Sequence, residues 1–93
     1  MLLTDVDVRR NLAEYLRKRR KALGLSREAL SGRSTVSAST LKKFETTGQI
    51  SLRQFLLLWE SLDSLERINA LTREPAAGAR VPASIEEVLN DPL

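Results

Sequence analysis

Apolar residues recur at Val8, Leu12 and Leu16, with Tyr15 alongside and Leu23 beyond. Steps of four return to one face of an α-helix, so the spacing predicts a helix over residues 5–23. Thr4 followed by Asp7 resembles a helix opening, and the first-turn acids suit the positive end of the helix dipole. Arg17 to Lys21 load the last turns with positive charge, and Gly24 follows as a left-handed cap. Ser26 caps a second, short helix ending near Arg33, with Leu30 inward. Residues Ser34 to Val36 form a turn, and Ser37 caps a third helix from Ala38 to about Glu45, with Leu41 and Phe44 inward. Thr46-Thr47-Gly48 ends it. Ser51 and Gln54 have capping-box spacing for a fourth helix, in which Leu52, Phe55, Leu56, Trp59 and Leu62 point inward. Asp63 and Glu66 repeat that spacing ahead of a fifth helix carrying Leu65, Ile68 and Leu71. No stretch alternates as a strand would. The expectation is an all-α, five-helix domain over residues 5–72.

The pattern breaks at Arg73. Pro75, Ala76, Ala77, Gly78, Ala79 and Pro82 read as a linker within a flexible C-terminal tail, residues 73–93. Ser84-Ile85-Glu86-Glu87-Val88-Leu89 then has capping-box spacing and one apolar stripe, too short to hold a helix alone in water. In so small a domain Ile85, Val88 and Leu89 have little to bury against. They are expected to be mobile in the free monomer or docked on another chain, a partner-binding segment.

Composition narrows the chemistry. The 93 residues include no cysteine and no histidine. That excludes disulfides, thiol nucleophiles, histidine-dependent triads and His- or Cys-ligated metal sites. No catalytic set emerges, since nothing nearby holds or perturbs Glu86-Glu87 as a general acid and base. Neither an enzyme, a metal nor a cofactor is expected. The N-terminus lacks the basic leader and apolar stretch of a signal peptide, and the apolar run Phe55–Trp59 is too short to span a membrane. A cytoplasmic location is consistent with these features.

The formal net charge of +3 hides an asymmetry. Residues 1–43 hold eleven Lys/Arg against four acids, a balance of +7, whereas residues 44–93 hold four against eight, a balance of −4. A basic half suits an anionic partner, most often nucleic acid, or serves only as a solubilising surface. A tight turn between two short helices suggests a helix-turn-helix, pinned by Leu30, Val36, Leu41 and Phe44, with small Ser31 at the helix crossing. Ala38, Ser39, Lys42 and Lys43 then occupy the exposed face of the third helix.

With those residues in place, Leu16 to Glu45 resembles the helix-turn-helix domain of the lambda-repressor-like (XRE) regulators. "LRKRRKALGLSREAL" looks like that family's first helix, glycine break and second helix; "VSASTLKKFETTGQISL" looks like its turn, recognition helix and entry to the fourth. The resemblance extends over residues 8–71. "FETTGQISLRQFLLLWESLD" further resembles the HipB-like antitoxins that accompany HipA-like kinase toxins. Three positions depart from the family. Thr35 stands where the turn usually has glycine, and a β-branched residue at positive φ is strained, so a locally different turn is expected. Ser31 replaces a common alanine, and Ala38 replaces a polar residue that often begins the recognition helix.

The resemblance implies a repressor that binds near-palindromic operator DNA as a homodimer, together with a kinase-toxin partner. The site residues it suggests are Arg27 and Arg33 over phosphates, Ser37 at the recognition helix start, and Ser39, Thr40, Lys42 and Lys43 toward the major groove. Each also has an ordinary reading. Lys42 and Lys43 suit a solvated face, Ser39 and Thr40 suit helix capping, and Arg17 to Lys21 suit a helix end. The resemblance also implies that Arg20 pairs with Glu45. Two other function classes stay open: a protein-interaction module that keeps the fold without binding DNA, and a stand-alone phage-type repressor without a toxin.

Overall fold

In the computed structural model, residues 2–74 are described. They form five α-helices: α1 (Asp5–Ala22), α2 (Arg27–Ser34), α3 (Ala38–Thr47), α4 (Leu52–Leu62) and α5 (Leu65–Asn69). A short 3₁₀ turn, Ala70–Thr72, follows. The described residues contain no strand. None of their helices is long and apolar enough to cross a membrane. Residues 75–93 lie outside the described residues, and with them most of the linker and Ile85, Val88 and Leu89.

The helix starts follow local chemistry. Thr4 and Asp7 form a full capping box: Thr4 N donates to Asp7 Oδ2 at 3.0 Å, and Asp7 N to Thr4 Oγ1 at 3.2 Å. Ser26, Ser37 and Ser51 each accept from the amide three residues on, at 3.0, 3.1 and 3.2 Å. Gly24 takes the left-handed conformation after α1, with φ of 71°. The third helix runs on through Thr47, beyond the expected end near Glu45. Thr46 and Thr47 donate their hydroxyls to the carbonyls of Lys42 and Lys43 at 2.9 and 2.6 Å, which satisfies these side chains within the last turn of the helix. Gly48 then caps α3 at φ of 77°. A Cβ there would lie 3.2 Å from the Arg9 backbone and Cβ, so this glycine also lets α3 approach α1 closely.

The core comprises Ala13, Leu16, Leu30, Val36, Leu41, Phe44, Phe55, Leu58, Trp59 and Leu62. The helix-pinning set Leu30, Val36, Leu41 and Phe44 is buried, as expected, and so are Phe55 and Trp59. Phe44 meets Phe55 edge-on at 5.9 Å between ring centroids. Several expectations about which residues face inward need correction. In α1 the inward stripe is Leu12, Ala13, Leu16 and Arg20, while Val8 and Leu23 are exposed. In α4 Leu52 is 72% exposed and Leu58 is central. The buried positions 55, 58, 59 and 62 form one stripe, and Leu52 starts the helix before any neighbour covers it. Leu65 and Leu71 are also exposed. The helix tightens into the 3₁₀ turn before Leu71, which rotates that residue out of register with Ile68.

The start of α5 differs as well. Ser64, not Asp63, caps it, accepting from Glu66 N at 3.1 Å. Asp63 is drawn instead toward α1 and α5: it accepts from the Tyr15 hydroxyl, from Ser64 N at 2.6 Å and from Arg67 Nη1 at 2.7 Å. Those bonds, the Tyr15 hydroxyl first among them, hold its carboxyl below the ordinary aspartate range.

Arg20 and Glu45 meet as the resemblance implied. Arg20 Nε lies 2.8 Å from Glu45 Oε2 and Nη2 3.1 Å from Oε1, while Nη1 donates to the Leu25 carbonyl at 2.8 Å. Both side chains are at least nine-tenths buried. Burial works against a charged Glu45, but the hydrogen bonds and charges of Arg20 and Arg27 outweigh it and keep the carboxyl below its ordinary range. Arg20→Ala leaves buried Glu45 with Arg27 as its one remaining charged partner and is expected to cost up to about 3 kcal/mol in denaturant unfolding, the lower end of the cost of an uncompensated buried charge. Because the folded pKa of Glu45 is depressed, its stabilisation is full above the unfolded value of about 4.3 and is lost as pH falls through the folded value. Glu45→Gln should therefore lower the stability plateau and flatten part of the acid limb, to which Asp63 and Asp7, both held below the ordinary aspartate range, also contribute; an unchanged acid limb would contradict the role given to Glu45.

Candidate nucleic-acid interface

The turn between α2 and α3 is built on Thr35. It sits at φ of 66°, in the left-handed region, so the turn keeps the conformation usually given to glycine and does not differ locally as expected. Its surroundings hold it there. Thr35 N donates to the Ser31 carbonyl at 2.9 Å, and buried Ser34 Oγ accepts from Val36 N at 3.2 Å. Val36, 1% exposed, anchors the turn in the core.

Beyond the turn, Ser37 Oγ accepts from Thr40 N and donates to Thr40 Oγ1 at 2.9 Å, with Ser39 Oγ 3.3 Å away. The amides of Ala38 and Ser39 have no protein acceptor among the described residues, and the first turn of α3 holds no acid. Ser37, Ser39, Lys42 and Lys43 are exposed on this helix, whereas Ala38 and Thr40 are half-buried. Thr40 is thus tied into the cap, and Ser39, Lys42 and Lys43 form the free polar face. At the far end of the helix Glu45 is held by Arg20 and Arg27. The structure thereby joins one exposed cationic face to a fixed helix orientation.

Arg33 is exposed in the last turn of α2. Arg27 is more constrained than the sequence suggested. Its Nε donates to Glu45 Oε1 at 3.0 Å and its side chain is one-third exposed, leaving its two terminal nitrogens for solvent or a ligand. Arg27 also borders a polar cleft of about 350 Å³ lined by Arg17, Arg20, Lys21, Ser26 and Glu28. Arg17 and Lys21 therefore stand beside the start of α2, a placement missed when the whole run is read as a helix end. The available signal is their four-residue spacing just before a glycine turn, which folds the next helix back over that face. Their neighbour Arg19 serves structure instead, donating Nε to the Leu62 carbonyl at 3.0 Å. Among the described residues no cluster of His, Cys, Asp or Glu is suited to hold a metal ion.

Residues 11–74, well over half of the chain, match a family model described as a helix-turn-helix domain. No curated protein and no solved structure matches the chain.

A non-glycine residue in the left-handed region costs roughly 1–2 kcal/mol, part of which glycine returns to the unfolded chain as entropy. Thr35→Gly is therefore expected to stabilise the domain by up to about 1 kcal/mol, raising the melting temperature by about 4–8 °C per kcal/mol. Calorimetry showing a lower melting temperature would mean that the Thr35 side chain contributes more than its strain removes.

Proposed function

Since the chain belongs to this helix-turn-helix domain family, we propose that it is a sequence-specific DNA-binding repressor. It acts as a homodimer on a near-palindromic operator, in the cytoplasm with the genome. The observation that carries this reading is the α3 surface: a serine-capped N-terminus, no acid in the first turn, and Ser39, Lys42 and Lys43 exposed together. Such an end admits phosphate oxygens to its amides and base edges to its side chains. Arg33 and the free end of Arg27 lie over the flanking phosphates, with Arg17 and Lys21 adding charge beside Arg27. A two-fold dimer sets its α3 helices about 34 Å apart, one turn of DNA.

The resemblance of residues 44–63 to the HipB-like antitoxins carries the reading further. It gives the protein a HipA-like kinase toxin as partner, bound through a segment bearing Ile85, Val88 and Leu89. Co-purification with a kinase encoded in the adjacent reading frame tests this part, and an adjacent frame without a kinase would favour the stand-alone repressor. Half-buried Ala38, which offers no polar group to a base, favours the second reading, an interaction module without DNA binding.

Titration on the chain's own upstream DNA, with random DNA as control, separates these readings. If the dimer neutralises about eight phosphates, log affinity falls against log salt with a slope near −7. Arg33→Ala should weaken all sequences alike and flatten that slope. It is a cleaner probe than Arg27→Ala, which also disturbs Glu45. Ser39→Ala or Lys43→Met should instead change base preference, by about 1–3 kcal/mol for each base-specific bond removed. Equal affinity for upstream and random DNA at every salt would overturn the repressor reading in favour of the interaction module.

A further inference from the structure

On the face formed by α4 and α5, two adjoining grooves of about 650 and 520 Å³ share Leu52, Leu56 and Leu65. Ile68 and Leu57 complete the apolar floor, and Thr72, close to the last described residue, also lines it. Leu52 is 72% exposed. A contiguous apolar surface of this kind marks a binding site for another apolar element. Arg53 stands on the rim, exposed and without an ion pair among the described residues. Glu60 and Glu66 share that rim, and Glu66 is paired with Arg73 at 3.4 Å.

We propose that in the free chain the segment Ser84–Leu89 docks into this α4–α5 groove of its own chain. Ile85, Val88 and Leu89 have the i, i+3, i+4 spacing of one helical face, the pattern by which a short amphipathic helix fills an apolar groove. The segment is too short to hold a helix in water, so it needs such a surface to order against. Residues 84–93 carry Glu86, Glu87 and Asp91 and no cation, which suits Arg53 on the groove rim. The geometry of the connection favours the same chain. Thr72 already lines the groove, and the eleven residues 73–83 span at most about 36–40 Å, ample for a return to it. A connection this short gives an effective concentration in the millimolar range, well above that of a second copy in dilute solution. The groove thus supplies the burial for Ile85, Val88 and Leu89 that the chain pattern alone does not show. The inference is independent of DNA binding, and a protein partner that takes the segment has to displace it from the groove.

The absence of cysteine allows a direct test on the full chain. Glu87→Cys places a nitroxide opposite the apolar stripe, and the amide signals of the ¹⁵N-labelled protein report which surface lies near it. Docking predicts strong, selective broadening at Leu52, Leu56, Leu65 and Ile68, with Thr35 in the distant turn spared. Adding Val88→Asp and Leu89→Asp should relieve the broadening. Leu52→Glu should do the same, since it places an acid at the exposed start of α4 without disturbing the core. Even broadening over the whole surface, or broadening unchanged by the aspartates, would overturn the proposal. Mixing spin-labelled unenriched chain with unlabelled ¹⁵N chain separates the two origins. Groove broadening in the mixture would place the segment on a second copy and overturn docking within one chain.

Discussion

Everything that gives the α3 surface its orientation leads back to Arg20. One buried guanidinium satisfies both oxygens of Glu45 and the Leu25 carbonyl, joining α1, the loop after it and the far end of α3. A buried ion pair gains little net stability, because desolvation cancels most of the attraction. Its geometric demands are strict, however: a planar fork meets a planar carboxylate in few orientations. Rotation of α3 about its axis would break those bonds, so the pair sets which side chains the helix presents outward. Ser39, Lys42 and Lys43 are exposed together because Glu45, a few residues on, is held inside.

Other contacts support this arrangement from both sides. Gly48 lets the end of α3 lie against Arg9 of α1, where a Cβ would crowd the backbone at 3.2 Å. Across the molecule, Tyr15, Asp63 and Arg67 form one hydrogen-bonded cluster, and Arg19 reaches the Leu62 carbonyl. These tie the α4–α5 junction to α1. The basic run of α1 is consequently divided by the fold. Arg19 and Arg20 act inward on other helices, while Arg17 and Lys21 face the cleft beside Arg27.

Thr35 shows how local preference yields to packing. Its β-branched side chain disfavours positive φ, yet Val36 and Ser34 on the following and preceding positions are both buried and cannot move independently. The turn therefore retains the compact left-handed form at a cost in strain. Replacing the usual glycine leaves the shape of the turn intact, and only Ala38 still separates the interface from a more polar one.

Much of the fold was legible along the chain. The serine and threonine caps, the glycine stops and the Leu30, Val36, Leu41 and Phe44 pattern arise from interactions between residues close in sequence, so their spacing reveals them. The Arg20–Glu45 pair was accessible only through family resemblance, because nothing local relates residues 25 positions apart. Burial within leucine-rich α4 was not legible. Leucines at 52, 56, 57 and 58 give several overlapping stripes, and only the packing of α1, α2 and α5 around the helix selects Leu58 for the core and leaves Leu52 outside. The same holds for Arg17 and Lys21, whose placement beside Arg27 depends on the angle at which α2 folds back. The sequence by itself determined where the first four helices begin, since capping is a short-range hydrogen-bond problem. The tertiary structure alone decided which faces meet and which remain open, because burial is a property of neighbours that the chain brings together only on folding.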